Sequence, residues 1–291
     1  MISIFHLFFK KTIYSSLILN LIGDILNFKF KECKTEFDGG NFEEALDILG
    51  EIENDDEDYK FALMLKYNCL MGLGCYGDAL TIINMLIHEN PYMSLFWFDK
   101  VKCHYFLKDL TNAAGALYHV EHIIDLKDVV EIIDFVKLCN MIGEHVIALK
   151  YCNIVLDTDE NQIDALLEKS LISNIIDDKN MMNECGDKLF ELSGDNLSLL
   201  MVSFALKLFS GMYRDSFNII LNINCMDSKM GLILKKIIYN QMLCDLNIQI
   251  VMESNAELTI DEFILLLFDY RYYGVESGEV KNVRYMIVKQ D

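Results

Sequence analysis

His119 and His122 stand one helical turn apart with Glu121 between them, a spacing at which two imidazoles can share a zinc ion. No third ligand is evident nearby, so the pair reads as surface or partly buried histidines and no metal is expected. Gly72-Leu73-Gly74-Cys75-Tyr76-Gly77 is formally a G-x-G-x-x-G. A phosphate-binding loop of that kind needs a strand before it, and here helical sequence precedes it. Asp157, Asp159, Asn161 and Glu168 have the side-chain spacing of an EF-hand calcium loop. Gln162 replaces the sharp-turn glycine and Asp164 the apolar residue, which leaves a solvated turn and helix cap. Nine cysteines, an odd number with no Cys-x-x-Cys, sit mostly in apolar runs, as buried thiols of a reducing, cytoplasmic compartment do. No serine, cysteine or carboxylate pair has catalytic surroundings. Neither an enzyme nor a cofactor is expected.

Charge narrows the classes further. With 45 acidic against 25 basic residues the net charge is −20, which argues against nucleic acid as a partner, since phosphate contacts need clustered Lys and Arg. A chain that is 53% hydrophobic can bury a large core, and one proline in 291 residues favours long helices over β-turns. Met1 to Phe9 is apolar, Lys10-Lys11 interrupts, and Thr12 to Gly23 is uncharged. The positive charges stand on the wrong side for a signal peptide, and the uncharged run falls short of the ~20 residues a spanning helix needs.

Internal repetition is the strongest signal. Asn41-Phe42-Glu43-Glu44-Ala45-Leu46 reads as a helix start, and steps of 34, 34, 35, 34 and 34 lead to Tyr76-Gly77-Asp78-Ala79, Leu110-Thr111-Asn112-Ala113, His145-Val146-Ile147-Ala148, Lys179-Asn180-Met181-Met182 and Tyr213-Arg214-Asp215-Ser216. Glycine precedes four of these starts, at Gly40, Gly74, Gly143 and Gly211, while Lys108 and Asp177 fill the other two turns. Glycine suits the residue just past a helix because positive φ is cheap there. Alanine at 45, 79, 113 and 148 allows two antiparallel helices to approach closely, and the residue three positions earlier fills the space beside that contact. Pro91 stops one helix and directs the chain to the next. Asp and Asn clusters at Asn54 to Asp58, Asp157 to Asn161 and Gly194 to Asn196 supply caps.

Two helices per 34 residues, with a small residue in the second, resemble the tetratricopeptide repeat. Asp58 to Pro91 matches best, through Leu63, Tyr67, Gly74, Tyr76, Ala79 and Pro91, and Trp97 falls where that family favours a large aromatic. Departures are Met182 and Ser216 in place of alanine, Lys108 and Asp177 in place of glycine, and the missing terminal prolines. The resemblance implies an all-α, right-handed α-solenoid of stacked antiparallel helix pairs with atypical capping helices at both ends. Residues 1–25 are expected as an N-terminal cap or partial repeat, 26–230 as six repeats, and 231–291 as a degenerate seventh repeat with C-terminal capping helices. Within that last part Met230 to Cys244 and Thr259 to Tyr273 read as helices, the second opening with a capping box, and Val280 to Val288 as a last short helix.

In that family the first helices of successive repeats line the inner surface. Projected onto this chain, one register position holds Lys34, Asn68, Lys102 and Lys137, after which Leu171 and Ala205 end the polar series. Phe61, Met64, Phe98 and Tyr105 flank it. The resemblance therefore implies a peptide-binding groove of these eight residues, its ammonium groups holding carboxylates and Asn68 holding peptide backbone. Asp99 and Asp134, three residues before Lys102 and Lys137, offer the competing reading of intrahelical ion pairs. Four repeats at ~10 Å each would take about nine residues of extended peptide. The family's carboxylate clamp is incomplete, with Met64 where one clamp lysine would stand. The expected function is a non-enzymatic, cytoplasmic protein–protein interaction scaffold that binds an extended peptide or partner helix, possessing acidic groups, in its groove. The alternative is a membrane-tethered assembly factor or adaptor that uses the apolar N-terminal segment. A pentatricopeptide-like RNA reader shares the period but requires the opposite charge.

Overall fold

The computed structural model describes residues 28–50, 59–222, 229–246, 248–252, 259–273, 275, 277–280 and 283–289. The expected cap at residues 1–25 and the junction at Asn54 to Asp58 lie outside the described residues. Helices dominate and run in pairs: α1 (Phe28–Gly39) with α2 (Phe42–Leu49), α3 (Tyr59–Gly72) with α4 (Tyr76–Glu89), and α5 (Ser94–Phe106) with α6 (Leu110–Ile123). Then follow α7 (Val129–Ile142) with α8 (His145–Thr158), α9 (Ile163–Ile175) with α10 (Lys179–Ser193), and α11 (Leu197–Phe209) with α12 (Tyr213–Asn222). A seventh pair, α13 (Lys229–Leu246) and α14 (Ile260–Tyr273), completes the described helices.

Each turn inside the first six pairs is built the same way. The residue after the first helix has positive φ at Gly40, Gly74, Lys108, Gly143, Asp177 and Gly211, including the two positions where the residue is not glycine. The next residue donates its backbone N–H to the carbonyl five positions back: Asn41 to Glu36, Cys75 to Leu70, Asp109 to His104, Glu144 to Cys139, Asp178 to Ser173 and Met212 to Lys207, at 2.8 to 2.9 Å. That is the six-to-one bond of a left-handed helix C-cap. The carbonyl of the same residue accepts the first helical bond of the second helix, from Ala45, Ala79, Ala113, Ala148, Met182 or Ser216. All six of those residues are at most 1% exposed, so the small-residue position lies where the helices meet. At Gly72 the approach is closer still, because a Cβ there would stand 2.6 Å from the Phe42 ring.

The chain forms two compact units. The first holds α1 to α6 and the ends of α7, the second the middle of α7, α8 to α14 and the sheet. Within each, helices pack on their neighbours in sequence, as in a solenoid; in the second unit the first helices α9 and α11 also touch directly. The α5–α6 turn is pinned by Asp109, which accepts from the Asn112 backbone, and Asn196 likewise caps α11. Thr259 and Glu262 form the expected capping box at α14: the Thr259 backbone N–H donates to the Glu262 carboxylate at 2.7 Å.

One expectation needs correction. The region beyond α13 holds strands β1 (Ile248–Met252), β2 (Ser277–Val280) and β3 (Val283–Lys289), in the antiparallel order β1-β3-β2, where a helix over Val280 to Val288 and purely helical capping were expected. Val283-Arg284-Tyr285-Met286-Ile287-Val288 is rich in β-branched and aromatic residues, which favour extended backbone. In β3, Ile287 is buried while Met286 and Val288 are exposed, the period-2 alternation of a strand. Its partner Ile248–Met252 lies about 35 residues upstream, and local pattern alone does not announce such a pairing.

The turn geometry can be tested by a pair of opposite substitutions. Lys108, held at φ 64°, should become about 0.5–1 kcal/mol more stable as Lys108→Gly, whereas Gly143→Ala at φ 90° should cost about 1 kcal/mol although nothing lies within 4 Å of the added Cβ. Urea denaturation midpoints moving in opposite directions would bear this out.

Candidate functional site

In the first unit the register positions fall on α1, α3 and α5, at Lys34, Asn68 and Lys102. Asn68 and Met64, one turn apart on α3, join Tyr67, Leu95, Phe96 and Asp99 around a cleft of about 20 Å³. That is room for one ordered water and no more, so a peptide would lie over the cleft rather than inside it. The Asn68 amide makes no hydrogen bond to any described residue, although its side chain is half-buried. Beside it, the Lys102 ammonium donates to Asp99 at 2.8 Å, with both side chains only 15% exposed. Beneath them the Tyr67 phenol is buried against Asp99 and Cys103; burial first, then the Asp99 charge, pushes its pKa well above the ordinary range. Tyr67 thus remains a neutral donor that helps fix the carboxylate.

The remaining expected groove residues divide. Tyr105 is half-buried one turn beyond Lys102, edge-on to Phe106 at 5.5 Å. Lys34 is half-buried on α1. Phe61 packs partly into the cluster of Cys33, Ala45, Leu49, Ala62, Leu65 and Cys69. Phe98, expected to present its ring to a ligand, is only 6% exposed. Its position on α5 turns it into the core, and it is corrected here to a packing residue.

Lys137 belongs to the second unit, where it pairs with Asp134 at 3.5 Å. Near this pair the Asn140 amide donates to Glu168 at 2.8 Å, and Asn140 also meets the His145 ring at 3.3 Å. Burial raises the Glu168 pKa above its ordinary value, opposed by the Asn140 hydrogen bond and the Lys137 charge. Asp99, Asp134 and Glu168 recur in the sequence at spacings of 35 and 34, each three residues ahead of a register position. Applying the repeat arithmetic to acids as well as bases would have exposed that recurrence.

The comparisons with known proteins bear on the fold. No family model matches the chain, and no curated protein does. Among solved structures it is similar to a tetratricopeptide repeat protein from Parabacteroides merdae ATCC 43184, at 11% identity and a TM-score of 0.52, covering 82% of this chain and 97% of that one. The fold is that of a tetratricopeptide-repeat protein. A structure named MamA RS-1 ArsTM double mutant is also similar, at 18% identity and a TM-score of 0.47, over 58% of this chain and 95% of that one.

Within this repeat fold the other motifs fall into structural places. Gly74 is a turn glycine with φ 76°, and a helix, α3, precedes it. Asp159 accepts from the Asn161 backbone in the α8–α9 turn, while Glu168 lies well inside α9. Six of the described cysteines are buried, and none of the described cysteines forms a disulfide. Burial pushes the thiols of Cys69, Cys103 and Cys152 up to about 12, so they stay protonated and unreactive near neutral pH. Among the described residues no helix is long and apolar enough to cross a membrane, and no three His, Cys, Asp or Glu side chains could hold a metal ion together.

Two stability measurements separate residues that hold the fold from residues left open. Asn68→Ala should leave the unfolding free energy within about 0.5 kcal/mol of wild type. Lys102→Ala, which strands the poorly exposed Asp99, should cost about 1–3 kcal/mol. For Glu168, the raised folded-state pKa means that protonation favours the native state: its contribution is fully present below the unfolded pKa and lost as pH rises through the folded one. Glu168→Gln should therefore be more stable than wild type at pH 7, and the difference should close below about pH 4.

Proposed function

We propose that the chain is a non-enzymatic protein-interaction scaffold whose first unit binds an extended peptide segment across the faces of α3 and α5. The observation that carries this reading is Asn68: a half-buried amide with no hydrogen-bond partner among the described residues, at the lip of a cleft walled by Met64 and Leu95. An asparagine amide offers one acceptor and two donor hydrogens, which match the alternating C=O and N–H of an extended peptide. Met64 and Leu95 supply apolar contact, and Tyr105 lies half-buried one turn past Lys102.

The ion pairs reshape the expectation about charge. Lys102 and Lys137 face carboxylates of their own helices, so an acidic partner would compete with Asp99 and Asp134 for ammonium groups that are already satisfied. Backbone recognition through Asn68, with carboxylate binding as an adjunct at Lys102, fits these pairs better than a ladder of open cations. The fold likeness supports a repeat architecture of the kind that presents such faces.

Partner capture on immobilised full-length chain tests the reading. Asn68→Arg, which places a long side chain over the cleft, should lower recovery of copurifying protein at least tenfold while the circular dichroism spectrum stays helical. Lys34→Glu, Lys102→Glu and Lys137→Glu together should also reduce it. Undiminished capture by Asn68→Arg would overturn the assignment.

A further inference from the structure

The exposed face of α6 carries His119 and His122, which the proposed binding reading does not use. Both side chains are exposed. The His122 Nδ1 lies 2.7 Å from the Tyr118 carbonyl oxygen. A carbonyl only accepts, so Nδ1 must carry the proton and donate, which leaves Nε2 as a lone pair facing outward. This is the tautomer lock that metal-ligating histidines show: the nitrogen that does not bind metal is held by a backbone carbonyl. His119 is fixed differently. Its ring stacks on Trp97 at 4.3 Å, and the Trp97 indole is itself anchored by donating to the Pro91 carbonyl at 2.8 Å. Neither His119 nitrogen has a hydrogen-bond partner among the described residues. The Tyr118 ring bridges the two, 4.2 Å from His122 and 6.3 Å from His119.

We propose that His119 and His122 form a surface chelate for one divalent transition-metal ion of the copper, nickel and zinc class, walled by Trp97 and Tyr118. Neutral imidazole suits these ions, with copper expected to bind most tightly. Both rings are ordered before any ion arrives, so chelation forfeits less side-chain freedom than it would for two mobile histidines. No third His, Cys, Asp or Glu converges among the described residues, so the ion keeps solvent positions that a side chain of a bound protein could enter. Lys100, 5.1 Å over the Trp97 ring, is the cation that coordination must overcome.

Trp97 is the single tryptophan of the chain and touches one of the two ligands, so its emission reports directly on the site. The experiment uses full-length chain without a histidine tag, stripped with EDTA and titrated with Cu²⁺ while Trp97 fluorescence and bound copper are measured. Saturable quenching is expected at one ion per chain, or per two chains if a second copy adds its own pair, with EDTA restoring emission. His119→Ala and His122→Ala should each weaken binding at least ~10-fold, and His145→Ala, on α8, should not. Circular dichroism confirms folding, and His122→Gln repeats the test should an alanine variant misfold. Quenching that never saturates, or that survives unchanged in both histidine variants, overturns the proposal.

Discussion

One residue per repeat carries the architecture. At Asn41, Cys75, Asp109, Glu144, Asp178 and Met212 the backbone N–H closes the helix just finished and the carbonyl opens the next. A single residue can serve both helices only if the residue before it turns left-handed, which is why positive φ recurs at six positions and persists at Lys108 and Asp177 despite its cost to a side chain. The donor serving the second helix belongs to the small buried residue, so turn geometry and helix–helix distance are set by the same few atoms. Burial of the apolar faces follows from that distance. Substituting the turn glycine therefore strains the backbone at the point that sets this distance.

This coupling explains what was legible in the residues. Turn, small residue and second-helix start are local features that recur at nearly constant spacing, so each repeat reinforces the reading of the others. Met182 and Ser216 occupy the alanine position at 1% and 0% exposure, because the repeat demands burial there rather than one residue type. The C-terminal sheet behaved otherwise. Its strands pair across about 35 residues with helix α14 between them, and no periodic partner marks Ile248–Met252 as a strand. Short apolar runs are ambiguous between helix and strand until the pairing is known.

The register was legible in spacing, and the chemistry of its residues was not. Register arithmetic placed Asn68, Lys102 and Lys137 on equivalent faces, but whether a lysine is open or paired depends on rotamers and neighbours that spacing does not specify. Asp99 and Asp134 settle that for two of them. Phe98 shows the same limit in apolar residues, since a shift of a few tens of degrees around a helix separates a ring at the surface from one in the core.

Pairing also changes what selectivity can mean on such a face. A satisfied ion pair contributes little net attraction to a charged ligand, because capture by one partner must break or share the bond to the other. An amide without a partner has no such bond to lose. A ligand that completes its hydrogen bonds displaces water and gains about 0.5–1.5 kcal/mol for each. The same logic applies on α6, where His122 is held through one nitrogen and leaves the other open. In both places the informative residues are those whose surroundings are ordered while one polar atom is left unused. Charge counting across a chain of net −20 would have passed over each of them.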